Sequence, residues 1–241
     1  MMKKLDDRIY IIDNLLDENF LYKIQNFVYD CNDWTFGQTN PSLNNQLLDI
    51  ERNMHINEEK GLLPHDIERA WYKKLDNCNS PIHFWRNDIF SGDYEKGFSG
   101  GKEWNKWKYK NKNTNYKNII LLEELIRKKS ENILTNYEPT LIYLNGQTSG
   151  QCGGIHQDIN APSKYEWSVL FFPMPWKINQ GGELIIYEKN YTDIKYAIHP
   201  MENRLIIFDG SHYHQGTSPN LNTNKMRISL SYKMNRLPNN D

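Results

Sequence analysis

The hydrophobic pattern of the chain changes period near its middle. In the first half, Ile9-Tyr10-Ile11-Ile12 is a β-branched run stopped by Asp13-Asn14, the pattern of a short strand and turn. Asp17 then precedes Phe20, Ile24 and Val28, which recur every four residues with Phe27 on the same face. That spacing predicts a helix capped by Asp17. A weaker repeat of Ile67, Trp71 and Leu75 predicts a second helix over His65 to Asn77. The clearest helical pattern runs from Ile119 to Leu134, with Leu121, Leu122, Leu125, Ile126 and Ile133 apolar and Lys128 and Lys129 turned outward. Between the last two lies the segment 97–112, with three glycines and then aromatics alternating with lysines. It reads as a surface loop whose aromatics pack locally, the competing reading being a lid or substrate-recruiting edge.

The second half is a succession of short strands. Candidates are Thr140–Leu144, Gly154–Gln157, Trp167–Phe172, Glu183–Tyr187, Tyr196–His199, Arg204–Phe208, His212–Gln215 and Arg227–Lys233, separated by Gly, Pro, Asn and Asp clusters. So many short strands in so little chain do not suit an α/β sheet. The expected class is α+β. Residues 138–236 form a jelly-roll core, residues 1–137 a mainly helical support packed against it, and the whole 1–241 one domain.

Composition narrows the partners. Hydrophobic residues are only 38% of the chain, but 15 Tyr, 9 Phe and 7 Trp exclude wholesale disorder. Lys+Arg at 29 against Asp+Glu at 30 leaves no global field to recruit nucleic acid or an anionic membrane. Cys31, Cys78 and Cys152 are an odd number without CxxC spacing, which argues against a disulfide framework or a thiolate zinc site and fits a reducing compartment. No apolar stretch follows the basic N-terminal residues, and none reaches membrane-spanning length, so a cytoplasmic location is expected.

Candidate chemistry sits in the strand-rich half. His156 and Asp158 are two residues apart, so on an extended segment both point to one side and can reach one metal ion. His214, 56 residues beyond Asp158, can supply a third ligand from a distant strand. Two imidazoles and a carboxylate on one face of an ion leave the opposite positions open, which suits non-heme Fe(II) and dioxygen. A bare His-x-Asp is a weak signal, and its surroundings carry the meaning. Between it and His214 comes Gln180-Gly181-Gly182-Glu183-Leu184, and thirteen residues after His214 Arg227 opens the strand Arg227-Ile228-Ser229-Leu230-Ser231-Tyr232-Lys233.

Over residues 138–235 this ensemble resembles the 2-oxoglutarate- and Fe(II)-dependent oxygenases, in particular their prolyl 4-hydroxylase-like branch. The resemblance implies a double-stranded β-helix, with iron held by His156, Asp158 and His214 and with 2-oxoglutarate and dioxygen as co-substrates. It implies that Arg227 pairs with the far carboxylate of 2-oxoglutarate, with Tyr143 touching the same molecule. A guanidinium meets a carboxylate through two parallel hydrogen bonds, which is why an arginine suits that end. Ser229, two residues after Arg227, faces the same side of the strand and can add a hydroxyl. The reaction implied is hydroxylation of a small-molecule or peptide substrate, with decarboxylation of 2-oxoglutarate to succinate.

Alternatives stay open. His212 rivals His214 as the distal ligand, though counting six residues from Phe208 selects His214. Arg204 and Lys233 are also basic and compete with Arg227 as the anchor. The gap from His214 to Arg227 is longer than is common, with 219–224 forming an enlarged turn. Cys152 reads as a packed, inert thiol, and the stretch around Trp176 as pocket wall. His55, His65, His83 and His199 lack partners at ligand spacing. An AlkB-like nucleic-acid demethylase is the rival enzyme, and a cupin-like binding barrel without catalysis is the rival of another class.

Overall fold

The computed structural model describes residues 2–32, 34–36, 85–92, 100–158, 166–189 and 192–237. The helix predicted over 65–77 lies outside them, as do Cys78, His55, His65 and His83. Strands β1 (Met2–Asp6) and β2 (Ile9–Ile12) form an antiparallel hairpin. Helix α1 (Glu18–Asp30) starts where Asp17 accepts the Phe20 amide at 2.9 Å, and it buries Ile24 and Val28.

The segment expected to be a loop is instead helical from Gly100 to Asn111, here α2. Read at a period of two, its aromatics and lysines look like an alternating edge. At the helical period Trp104 and Trp107 share one face. Trp104 is fully buried, stacked on Trp107 with centroids 5.2 Å apart and edge-on to Phe90 at 5.1 Å. Helix α3 (Lys117–Lys129) ends five residues before Leu134, because Glu131 and Asn132 take left-handed backbone conformations that a helix cannot continue through.

The remaining strands are β3 (Thr35–Phe36), β4 (Trp85–Ser91), β5 (Tyr137–Gln147), β6 (Trp167–Phe172), β7 (Leu184–Tyr187), β8 (Ile194–Ile198), β9 (Arg204–Asp209), β10 (His214–Gly216) and β11 (Arg227–Arg236). Gly154–Gln157 is not a strand; only His156 bridges, to His214. All ladders are antiparallel, in an eight-stranded sheet of order β1-β2-β9-β6-β11-β5-β4-β3 and a three-stranded sheet β10-β7-β8. Mostly antiparallel sheet with three helices is therefore the architecture of the described residues.

The large sheet is covered on both faces. One face packs Ile9, Ile11, Leu170, Phe172, Ile206 and Phe208 against Leu184, Ile186 and Ile198 of the small sheet. The other meets the helices, with Ile142, Leu144, Val169, Phe171, Leu230 and Tyr232 in one cluster with Ile24, Trp104, Ile119 and Leu122. Strand period two against helix period 3.6 makes this sandwich possible. Among the described residues, no helix is long and apolar enough to cross a membrane.

Trp104 joins α2 to the sheet through Phe90, so Trp104→Ala leaves a cavity under the helix. It is expected to lower unfolding free energy by about 3–5 kcal/mol in urea denaturation. A loss below about 1 kcal/mol would mean that α2 contributes little to the core.

Candidate metal and co-substrate site

At the junction of the two sheets, main-chain pairing brings the metal-ligand candidates together. His156 and His214 exchange backbone hydrogen bonds, His156 N–H to His214 O at 3.1 Å and His214 N–H to His156 O at 2.9 Å. Two residues on, the Asp158 amide donates to Gly210 O at 2.8 Å, so the segment 156–158 is strung along the chain leading into β10. His156, Asp158 and His214 each present a ligand atom within 4.8 Å of the others, the one such cluster of His, Cys, Asp and Glu among the described residues. Asp158 and His214 are buried, and His156 faces solvent.

Each imidazole has one nitrogen engaged by a backbone carbonyl. His156 Nδ1 lies 2.8 Å from Gly154 O, and His214 Nδ1 lies 2.9 Å from His212 O. A ring that donates through Nδ1 presents an unprotonated Nε2, the form a metal needs. Both Nε2 atoms face Asp158, at 3.7 Å from Oδ1 for His156 and 3.6 Å from Oδ2 for His214. His212 thus meets the cluster through its carbonyl, and its ring lies instead in the electrostatic reach of Asp209, Lys195 and Asp6.

The carboxylate is not waiting alone. Oδ2 of Asp158 accepts from both Ser168 Oγ and Lys233 Nζ, and Lys233 also donates to Ser168 Oγ at 3.1 Å. Burial alone would push the Asp158 carboxyl up. Lys233, with His214 and His156, outweighs it and holds the group well below the usual carboxylate range. Burial likewise opposes charge on Lys233, but Asp158 keeps its ammonium charged beyond the ordinary lysine range. Burial, reinforced by His156, presses His214 down to about 3, so it stays neutral at ordinary pH.

Arg227 opens β11 and is buried, which lowers its pKa to about 10 without discharging it at neutral pH. Its guanidinium lies 5.1 Å above the Phe172 ring, and one terminal nitrogen donates to Gln147 Oε1 at 2.5 Å. Two glycine positions make room for it. Gly182 has φ +78°, and a side chain there would stand 3.3 Å from the arginine methylenes; one at Gly216 would meet Gln147 Oε1 at 3.0 Å and the guanidinium at 3.6 Å. Gly216 lies two residues beyond His214, so the guanidinium sits beside β10 about one strand repeat, ~7 Å, from the distal histidine's backbone.

The inner face of the large sheet carries a polar stripe between these two ends. Register sets Arg227 opposite Gln147, Ser229 opposite Asn145, Ser231 opposite Tyr143 and Lys233 opposite Leu141. Tyr143 lies on this face with the Arg86 guanidinium 4.5 Å over its ring. Along the stripe Arg227 Nε, Ser231 Oγ and Asn145 Oδ1 are buried without a hydrogen-bond partner. Buried polar atoms are almost always paired, so orphans lining one face suit a polar guest.

The structure also sorts the other candidates. Arg204 grips Asp13 through two hydrogen bonds of 2.6 and 3.0 Å and donates to His199 O, so it is committed elsewhere. Cys152 is exposed rather than packed. Trp176 is buried, and its indole supports the glycine turn by donating to Gly181 O at 2.7 Å. The long turn after His214 is tied to that same turn through Asn220 N–H to Gln180 O at 2.8 Å and Gly182 N–H to Ser218 O at 3.2 Å. Ser168, Gln147 and Asn145 escaped sequence reading because their roles come from cross-strand register. Only the polar alternation Ser229, Ser231, Lys233 hinted at a lined face.

Residues 140–232 match the family model described as "2OG-Fe(II) oxygenase superfamily". No curated relative matches the sequence. A 2OG-Fe(II) oxygenase family oxidoreductase from Burkholderia pseudomallei aligns over 96% of this chain and 86% of its own, at 12% identity and TM-score 0.56. A prolyl hydroxylase from Trichoplax adhaerens, solved with a hypoxia inducible factor oxygen degradation domain peptide fragment, aligns over 93% and 83%, at 17% identity and TM-score 0.53. The structural likenesses are likenesses of fold. The family match covers residues 140–232, and the members of that family are oxidoreductases that use Fe(II), 2-oxoglutarate and dioxygen.

The depressed His214 and Asp158 groups give the metal-free protein a definite pH response. In both, the unfolded chain takes up protons that the folded one refuses, so stability is present at neutral pH and falls as pH drops. For His214 the loss begins near its ordinary value of about 6.5 and continues toward 3, at about 1.4 kcal/mol per pH unit. His214→Asn should flatten that slope in urea titrations between pH 6.5 and 4.5. An unchanged slope would show that another group carries it.

Proposed function

We propose that the protein is an Fe(II)/2-oxoglutarate-dependent hydroxylase in which His156, Asp158 and His214 hold the iron and Arg227 anchors the co-substrate. The observation that carries this reading is the pairing of a three-residue cluster with a buried guanidinium across a stripe of unpaired polar atoms. The residues present fit the group: two imidazoles with free Nε2 atoms and one carboxylate suit a divalent ion that must keep open positions. When bound, iron and dioxygen supply the oxidation that turns a substrate C–H and 2-oxoglutarate into C–OH, succinate and carbon dioxide.

The chain's own residues perform the holding and orienting. Arg227 Nε has no partner among the described residues, and burial strengthens the hydrogen bond it would donate to a carboxylate. Ser229 and Tyr143 line the same face and are read as auxiliary contacts to the co-substrate. The apolar cluster of Leu170, Phe172 and Ile206 backs this face and keeps water from the anchored end. His156 is the exposed member of the triad, so substrate enters from its side. The two sheets are read as a double-stranded β-helix, residues 138–236, with 1–137 as its support in one domain. A peptidyl or free amino acid is the proposed substrate, supported by the branch resemblance; a cytoplasmic location is proposed with it.

Succinate release from 2-oxoglutarate with Fe(II), screened across peptides, amino acids and oligonucleotides, tests the activity. A rise with peptides or amino acids supports the reading; a rise confined to oligonucleotides overturns it in favour of a nucleic-acid demethylase. His156→Ala should lose Fe(II) binding and turnover while staying folded, and Asp158→Asn, which keeps an acceptor for the Lys233 ammonium, should do the same. Arg227→Ala should keep metal affinity yet weaken 2-oxoglutarate at least about thirtyfold, as expected for one partner of a desolvated charge pair worth about 2–5 kcal/mol. Arg227→Lys should recover part of it. Ser229→Ala and Tyr143→Phe should each cost on the order of 1 kcal/mol. Unchanged 2-oxoglutarate affinity in Arg227→Ala, measured calorimetrically with Mn(II), would remove the anchor.

A further inference from the structure

Lys233 is a buried cation that the anchoring of 2-oxoglutarate does not use. It lies near the end of β11, directly across from Ser168 of β6. Lys233, Ser168 and Asp158 are 5%, 0% and 6% exposed, so none of them is stabilised by water in place of the others. A lysine is rarely buried without a reason, and breaking a buried ion pair by removing one partner is strongly unfavourable. The ammonium does not spread its hydrogen bonds over the carboxylate. It and the Ser168 hydroxyl both donate to Oδ2, the oxygen nearer His214 Nε2, while among the described residues no hydrogen bond of this kind engages Oδ1, the oxygen nearer His156 Nε2.

That one-sidedness has a coordination consequence. A carboxylate with both oxygens free can chelate a divalent ion through both and fill a position on it. A dioxygen-using centre that binds a bidentate 2-oxo acid needs three positions beyond its protein ligands. We propose that Lys233 is a positioning residue that restrains Asp158 to single-oxygen coordination, occupying Oδ2 together with Ser168 so that Oδ1 is the oxygen left for the metal. The proposal rests on the reading of His156, Asp158 and His214 as the metal centre. Lys233 contacts neither substrate nor the reacting atoms; it acts through Asp158.

The test counts waters on the bound metal and needs no turnover. With Mn(II) in the otherwise unliganded protein, the electron paramagnetic resonance linewidth in 17O-enriched water reports how many water molecules share the first sphere. Lys233→Met should show one bound water fewer than the unaltered protein, because Oδ2 takes its place. Lys233→Arg, which keeps a cationic donor at the same oxygen, should restore the count. If the methionine variant does not fold, Lys233→Gln, which loses the charge, one of the three donors and part of the reach to Asp158, serves in its place with the same expectation. An equal water count in Lys233→Met, or in its glutamine substitute, and the unaltered protein overturns the positioning role while leaving the metal centre standing. Failure of the unaltered protein to bind Mn(II) at all, or binding that survives Asp158→Ala, overturns the metal-centre reading and the proposal with it.

Discussion

The structure depends on one strand that is buried on both faces with opposite chemistry on each. Along β11, Leu230, Tyr232 and Met234 enter the apolar cluster under the helices, while Arg227, Ser229, Ser231 and Lys233 face inward and are equally buried. Period-two alternation allows both, and it fixes the register strictly: a slip by one residue would drive a guanidinium and an ammonium into the helix-covered core. β11 is also the strand that β5 and β6 pair with on either side. The strand that anchors the sheet is therefore the strand that carries the site's two cations.

Two buried cations on one strand need anionic partners. Lys233 has one within the protein, Asp158, which the neighbouring histidines also favour. Among the described residues Arg227 lacks an ion-paired partner of that kind: a neutral amide, an aromatic face and a Glu183 field are its company, and its Nε has no hydrogen-bond partner there. The asymmetry matches a division of labour in which one cation shapes a metal ligand and the other waits for a dicarboxylate. Gly182 of the glycine turn and Gly216 of β10 belong to the same design, since both leave backbone rather than side chain beside the guanidinium.

Much of this was legible in the sequence, and the gaps have physical causes. Trp167–Phe172 and Ile9–Ile12 announce themselves as strands because both are continuous β-prone runs between breakers. Asp17 announces the first helix by its capping chemistry. The spacing of His156, Asp158, His214 and Arg227 singled out a candidate site, because chemistry constrains those intervals more than folding does. Helix α2 was hidden because Trp, Lys and Tyr alternate at a strand-like interval while the burial of Trp104 follows the helical one. Gly154–Gln157 looked like a strand because its polar–apolar alternation is local, whereas only one residue of it finds a pairing partner. Ser168 and Lys233 could not be paired from sequence, since their contact exists only once β6 and β11 lie side by side.

The central claim is that one site holds a metal at the histidine–aspartate cluster and a dicarboxylate between that metal and Arg227. A crystal structure of the protein grown anaerobically with Mn(II) and 2-oxoglutarate tests it most directly. The account predicts density for the metal bound by His156, Asp158 and His214, and for 2-oxoglutarate with its far carboxylate on the Arg227 guanidinium. Metal bound elsewhere, or 2-oxoglutarate seated away from Arg227, would contradict it.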